Sequence, residues 1–163
     1  MTRLISELEA ILQQLVVEHR KLLEHMERHE AAMKTFAMES MDDTSRLQEA
    51  SRLRIANLEG RRRALVAELS KVFRFEGELT IRKLAQVHPT RAEALLTLRE
   101  DLKGLIDAIT TRSRISGKIA GAVLGHLNTI VRLLAGAVEK AGLYTKNGIP
   151  QVSTRIGVME AVG

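Results

Sequence analysis

Apolar residues at Leu4, Leu8, Ile11, Leu15, Leu22, Met26 and Met33 recur at steps of three, four and seven. That spacing predicts one long amphipathic helix from residue 3 to about 40. The cluster Asp42, Asp43, Thr44 and Ser45 offers N-cap oxygens just ahead of Leu47, Leu58, Leu65, Leu69 and Val72, which predicts a helical hairpin with a second helix from about 45 to 75. Gly77 and Thr80 interrupt the pattern, Ile81 to Val87 suits a short helix, and Pro89 marks a fresh start. From Leu95 a heptad seam runs through Leu98, Leu102, Leu105, Ile109, Arg112, Ser116, Ile119, Val123, His126, Ile130, Leu133 and Ala137. A third helix from 91 to 141 would be roughly 75 Å long against about 55 and 45 Å for the first two, so it must outrun its partners. Gly142 can cap it, and Asn147, Gly148 and Pro150 lead into a tail. The expected architecture is all-α: an elongated antiparallel three-helix bundle or coiled coil over residues 1–142, with a long third helix and a short flexible C-terminal tail over 143–163.

Composition narrows the class. Phe36, Phe73, Phe75 and Tyr144 are the aromatic residues of the 163, so the core must be aliphatic, and two prolines with 28% charged residues suit a helical protein. With no cysteine, disulfides, thiolate nucleophiles and cysteine metal sites are excluded. Met1 to Leu15 carries Glu7 and Glu9 inside its apolar pattern, which is unlike a signal peptide, and a cytoplasmic protein is expected. The longest uncharged apolar stretch, Ile119 to Val131, is short for a membrane span and contains His126 and Asn128, so no transmembrane helix is expected. The net charge of +5 sits in the second half: residues 81–163 hold 12 basic and 6 acidic side chains, while residues 1–80 are balanced at 13 and 14. Arg112, Arg114, Lys118 and Arg132 lie in a stretch without acids, a solvated helix face or a surface for an acidic partner.

Candidate chemistry is sparse. His25 and His29 stand one turn apart, with His19 nearby, but no further ligands at helical spacing complete a metal site. Phosphate loops, nucleophile elbows and paired carboxylates are not recognisable, so no catalytic residue, metal or cofactor is assigned and the chain reads as a non-enzyme. Arg61, Arg62 and Arg63 form a basic run, better read as a solvated face than as a nucleic-acid contact. Met26, Met33, Met38 and Met41 read as core filler before they read as an adaptable surface. Gly117, Gly121 and Gly125, spaced by four, cost a helix about 1 kcal/mol each relative to alanine, which points to close backbone approach in a shallow groove flanked by Leu124, Leu127 and Val131. A partner helix, the first helix, or a second copy of the chain could fill it.

Leu58-Glu59-Gly60-Arg61-Arg62-Arg63-Ala64-Leu65 in the second helix, Asn128 late in the third, and Leu143-Tyr144-Thr145-Lys146-Asn147-Gly148 after it form an ordered set. Over roughly residues 4–150 the chain resembles the FlgN family, which carries a Leu-Glu-x-x-Arg-Arg stretch and a Leu-Tyr-Gly-x-Asp/Asn-Gly-like motif in these places. Thr145 departs from the usual glycine, and the third helix is richer in glycine and alanine. The resemblance implies a cytoplasmic type III export chaperone for hook-filament junction proteins of the FlgK and FlgL kind, delivering them to the export gate protein FlhA. It places client binding on the third helix, here at Ile119, Val123, Leu124, Leu127, Ile130, Val131 and Leu134, and gate docking at Leu143, Tyr144, Asn147 and Gly148. No nucleic acid and no membrane insertion belong to that reading. The rivals are a self-associating coiled-coil protein, such as a homodimer, and a basic helical nucleic-acid-binding protein.

Overall fold

The computed structural model describes residues 2–75 and 77–140, and the described residues are helical outside three short connections. The elements are α1 (Thr2–Lys34), α2 (Met38–Phe73), α3 (Ile81–Val87) and α4 (Pro89–Lys140). The chain divides into two compact units, residues 1–119 and Ala120 onward.

In the first unit α1 and α2 form an antiparallel hairpin, registered by the Arg54–Glu18 ion pair at 2.8 Å and by His29 Nδ1 against Thr44 Oγ1, also at 2.8 Å. Three ion pairs, Arg91–Glu9, Arg20–Asp101 and Arg112–Glu30, advance together along both helices and set α4 parallel to α1. The result is the expected up-down-up bundle. Its core lies at the end where α1 begins: Leu8, Leu12 and Leu15 meet Leu58, Leu65 and Leu69, closed by Leu79, Leu84 and Leu95. Each of these leucines, when fully buried, is worth about 1.5–3 kcal/mol. Toward the hairpin turn α2 contributes Gln48, Ser51 and Thr44 to the interior instead, and buried Glu18 and Glu30 come from α1.

The connections follow local chemistry. The hairpin turn lies at Thr35–Ala37, not at Asp42–Ser45 as the N-cap residues suggested. Thr35 Oγ1 donates back to the Ala31 carbonyl, Phe36 takes a left-handed φ of 53°, and Ala37 N–H bonds to the Ala32 carbonyl, which together end α1. Thr44 is then an interior residue of α2: its hydroxyl donates to the Ser40 carbonyl at 2.6 Å and is only 1% exposed. Because that proton is committed, His29 is the donor of the interhelix bond. Arg74 caps α2 with φ 52° and Gly77 takes φ 89°. Thr80 Oγ1 accepts from the Lys83 N–H at the start of α3, and Pro89 opens α4. Along α4, Leu95 is fully buried and every seam position from Leu98 to Ile119, Arg112 and Ser116 included, is half-buried.

Candidate functional site

The second half of α4 is where sequence pattern and burial part company. Leu124, Leu127, Ile130, Val131, Leu133 and Leu134 are 41–69% exposed, and Val123 is half-buried. At about 100° per residue, Ile119, Val123, Leu124, Leu127, Ile130, Val131 and Leu134 fall on one continuous face of the helix. The seven sequence-predicted client residues are therefore a single surface, broader than a coiled-coil seam. Leu133, which the sequence reading kept in the seam alone, borders the same face and is the most exposed of the set. Exposed apolar surfaces of this extent are unusual on monomeric proteins, which makes this face the candidate site. An 18-residue window of α4 reaches a mean hydropathy of 1.4. That figure reflects the same surface; Asn128 and Arg132 lie on the other side of the helix, and His126 sits at the edge of the apolar face between Ile119 and Leu133.

The glycines belong to the opposite side. Gly121 and Gly125 share their face with Asn128, Thr129 and Arg132, not with Leu127. Among the described residues, nothing lies within 4 Å of a Cβ built at Gly117, Gly121 or Gly125. Close backbone approach by α1 is thus not their explanation. The expected groove flanked by Leu124, Leu127 and Val131 resolves into two surfaces, a small-residue polar one and an apolar one, meeting at Leu124.

Other singled-out residues have structural roles. Leu58 and Leu65 of the Leu-Glu-x-x-Arg-Arg stretch are core residues, and Arg62 bonds Glu59 through Nε and Nη2 at 2.9–3.1 Å, while Arg61 and Arg63 are exposed. Met26 and Met33 are core filler; Met38 is 71% exposed. His25 Nδ1 is buried with no partner among the described residues, and His29 is engaged by Thr44, so the two imidazoles do not share a site. Leu143, Tyr144, Asn147 and Gly148 lie outside the described residues.

Electrostatics fix α4 just before the exposed length begins. Arg112 donates from Nη1 to Glu30 and from Nη2 to Glu27, each at 3.0 Å, and Lys34 donates to Glu30 at 2.7 Å. Hydrogen bonds from Lys34 and Arg112 hold the Glu30 carboxyl below its ordinary range, and Glu30 in turn raises Arg112. At Glu18, burial pushes the carboxyl up, but hydrogen bonds from Arg54 and Lys21 outweigh it and the net shift is down. Of the four basic residues in the acid-free stretch, Arg112 is thus consumed by the bundle.

A family model described as FlgN protein matches residues 1–151. No curated protein and no solved structure matches the chain.

Proposed function

Because the chain belongs to the FlgN family and is a flagellar export chaperone, we propose that it holds its client on the apolar face of α4 between Ile119 and Leu134. The observation that carries this reading is the row of six large aliphatic side chains from Leu124 to Leu134, all exposed on one helix. A client's amphipathic helix laid on that face would bury them and keep its own apolar surface from premature assembly. The clients in this reading are hook-filament junction proteins of the FlgK and FlgL kind, met in the cytoplasm. Release is assigned to the export gate protein FlhA through Leu143, Tyr144, Asn147 and Gly148, a proposal that rests on their sequence motif. Binding rather than bond-making is the work of such a surface.

The experiment is titration of purified chain with FlgK-like and FlgL-like C-terminal segments by calorimetry, with Leu124→Asp/Val131→Asp as the variant. Two desolvated anchors lost should weaken binding by a hundredfold, on the order of 1–2 kcal/mol each. A double variant that keeps its helicity and its client would remove α4 from the account. Tyr144→Ala should spare client binding and weaken gate docking. A light-scattering mass of twice the chain, with no client bound, would instead support self-association on the same face.

A further inference from the structure

Residues 141–163 lie outside the described residues, but their sequence carries a pattern of its own. Ile149, Val152, Ile156 and Met159 recur at steps of three, four and three, the spacing of an apolar helical stripe. At about 100° per residue Arg155 and Glu160 fall on its two flanks, and Thr154 and Ala161 fall opposite it. Asn147-Gly148 is turn chemistry, and Pro150 suits the first position of a helix. The sequence therefore predicts a turn followed by a short amphipathic helix over 150–162 with no net charge. A helix of about 13 residues with Gly157 in its interior is marginal in water and needs an apolar neighbour to form.

We propose that this segment folds back along α4 and covers the apolar face at Leu124, Leu127, Val131 and Leu134, acting as the chain's own competitor for the client. Reach and length both fit. At 1.5 Å per residue, Leu134 and Leu124 lie about 9 and 24 Å back from Lys140 along α4. Residues 141–149 span up to about 30 Å when extended, so the stripe can be set level with any of the four. A helix over 150–162 is about 20 Å long, against about 15 Å from Leu124 to Leu134. The four face residues and the stripe are all uncharged, so nothing ionic opposes the contact. Tethering supplies the segment at an effective concentration on the order of millimolar, so a contact too weak to form between separate molecules still closes. Gly157 weakens the helix relative to alanine and keeps the closed form displaceable by a client. The covering does not depend on what the client is; its competitive role rests on the α4 face being the client site.

The chain has no cysteine, so Thr154→Cys, on the side away from the stripe, takes a single nitroxide label in the full chain. Methyl spectra of leucine and valine should show Leu124, Leu127, Val131 and Leu134 broadened, with Leu95 and Leu98 at the start of α4 unaffected. Ile156→Asp/Met159→Asp should abolish that broadening. In calorimetry the same double variant should raise affinity for a FlgK-like or FlgL-like segment about threefold or more, because losing an internal competitor raises the fraction of chain ready to bind. No broadening of the four α4 methyls, or broadening that Ile156→Asp/Met159→Asp leaves in place, would overturn the covering. Broadening that passes from nitroxide-labelled chains to isotope-labelled chains mixed with them would assign the segment to a second copy and overturn it as well. Broadening that the variant abolishes, with client affinity unchanged, would support the covering and overturn the competition. Calorimetry with Leu124→Asp/Val131→Asp reads the client site separately, so either reading can fail without the other.

Discussion

Leu95 and Leu133 occupy the same heptad seam of α4, yet truncating them should have opposite consequences. Leu95 is 0% exposed and packs into the core with Leu79 and Leu84, whereas Leu133 is 69% exposed. Leu95→Ala removes three carbons at about 0.8 kcal/mol each, roughly 2.5 kcal/mol of transfer free energy, and the residual cavity brings the cost to about 3–4 kcal/mol. Leu133→Ala forfeits about a third of that transfer term and leaves no cavity. Alanine's slightly better helix propensity offsets a few tenths of that at most, so the change should stay within about 1 kcal/mol. Urea unfolding followed by helical circular dichroism measures both. With a slope of about 2 kcal/mol per molar, Leu95→Ala should lower the midpoint by about 1.5–2 M and Leu133→Ala by about 0.5 M or less. A midpoint unchanged by Leu95→Ala would mean that α4 does not dock through this leucine. An equal loss from Leu133→Ala would mean that its side chain is packed in the isolated chain, and the exposed client face would have to be abandoned.

Acid should loosen the bundle through Glu30. Its carboxyl is held low by Lys34 and Arg112, so its contribution is complete above the ordinary carboxylate range and is lost as pH falls below about 5 through the lowered value. Glu30→Gln should flatten the acid limb of a midpoint-versus-pH curve between about pH 5 and 3, with Glu18 leaving a residual slope; an unchanged curve would refute the role of the pair. Thr44→Val removes the acceptor of the half-buried His29 donor and should cost about 1 kcal/mol in the same unfolding assay, and a neutral result would mean that the two helices are registered without that bond. Gly121→Ala meets open space and should raise the helicity of α4 with a gain of about 0.5–1 kcal/mol. Loss of client affinity in that variant would place a partner's backbone on the glycine side and count against the apolar face as the sole contact.

Much of this protein is decided by the chain itself. Aliphatic residues at helical spacing, few aromatics and few prolines leave helix-on-helix packing as the way to a core, and Pro89 and the Thr80 cap mark where α3 and α4 begin. The seam read from Leu95 follows observed burial to Val123, because a repeat of three and four positions keeps one face toward its neighbours. The seven residues proposed to hold client are likewise one face by periodicity alone. Other features needed the tertiary structure. The hairpin turn lies at Phe36 because backbone bonds at Ala31 and Ala32 end α1 there, while the polar cluster from Asp42 to Ser45, which looks like a cap in sequence, is carried inside α2 with Thr44 bonded to His29. Two shallow hollows between α2 and α4 join residues as far apart as Leu12, Ile55 and Ile106, a proximity no local pattern encodes. Whether a leucine of the seam is core or surface depends on which other helix lies opposite it, and that is why Leu95 and Leu133, identical in pattern, differ from 0% to 69% exposed.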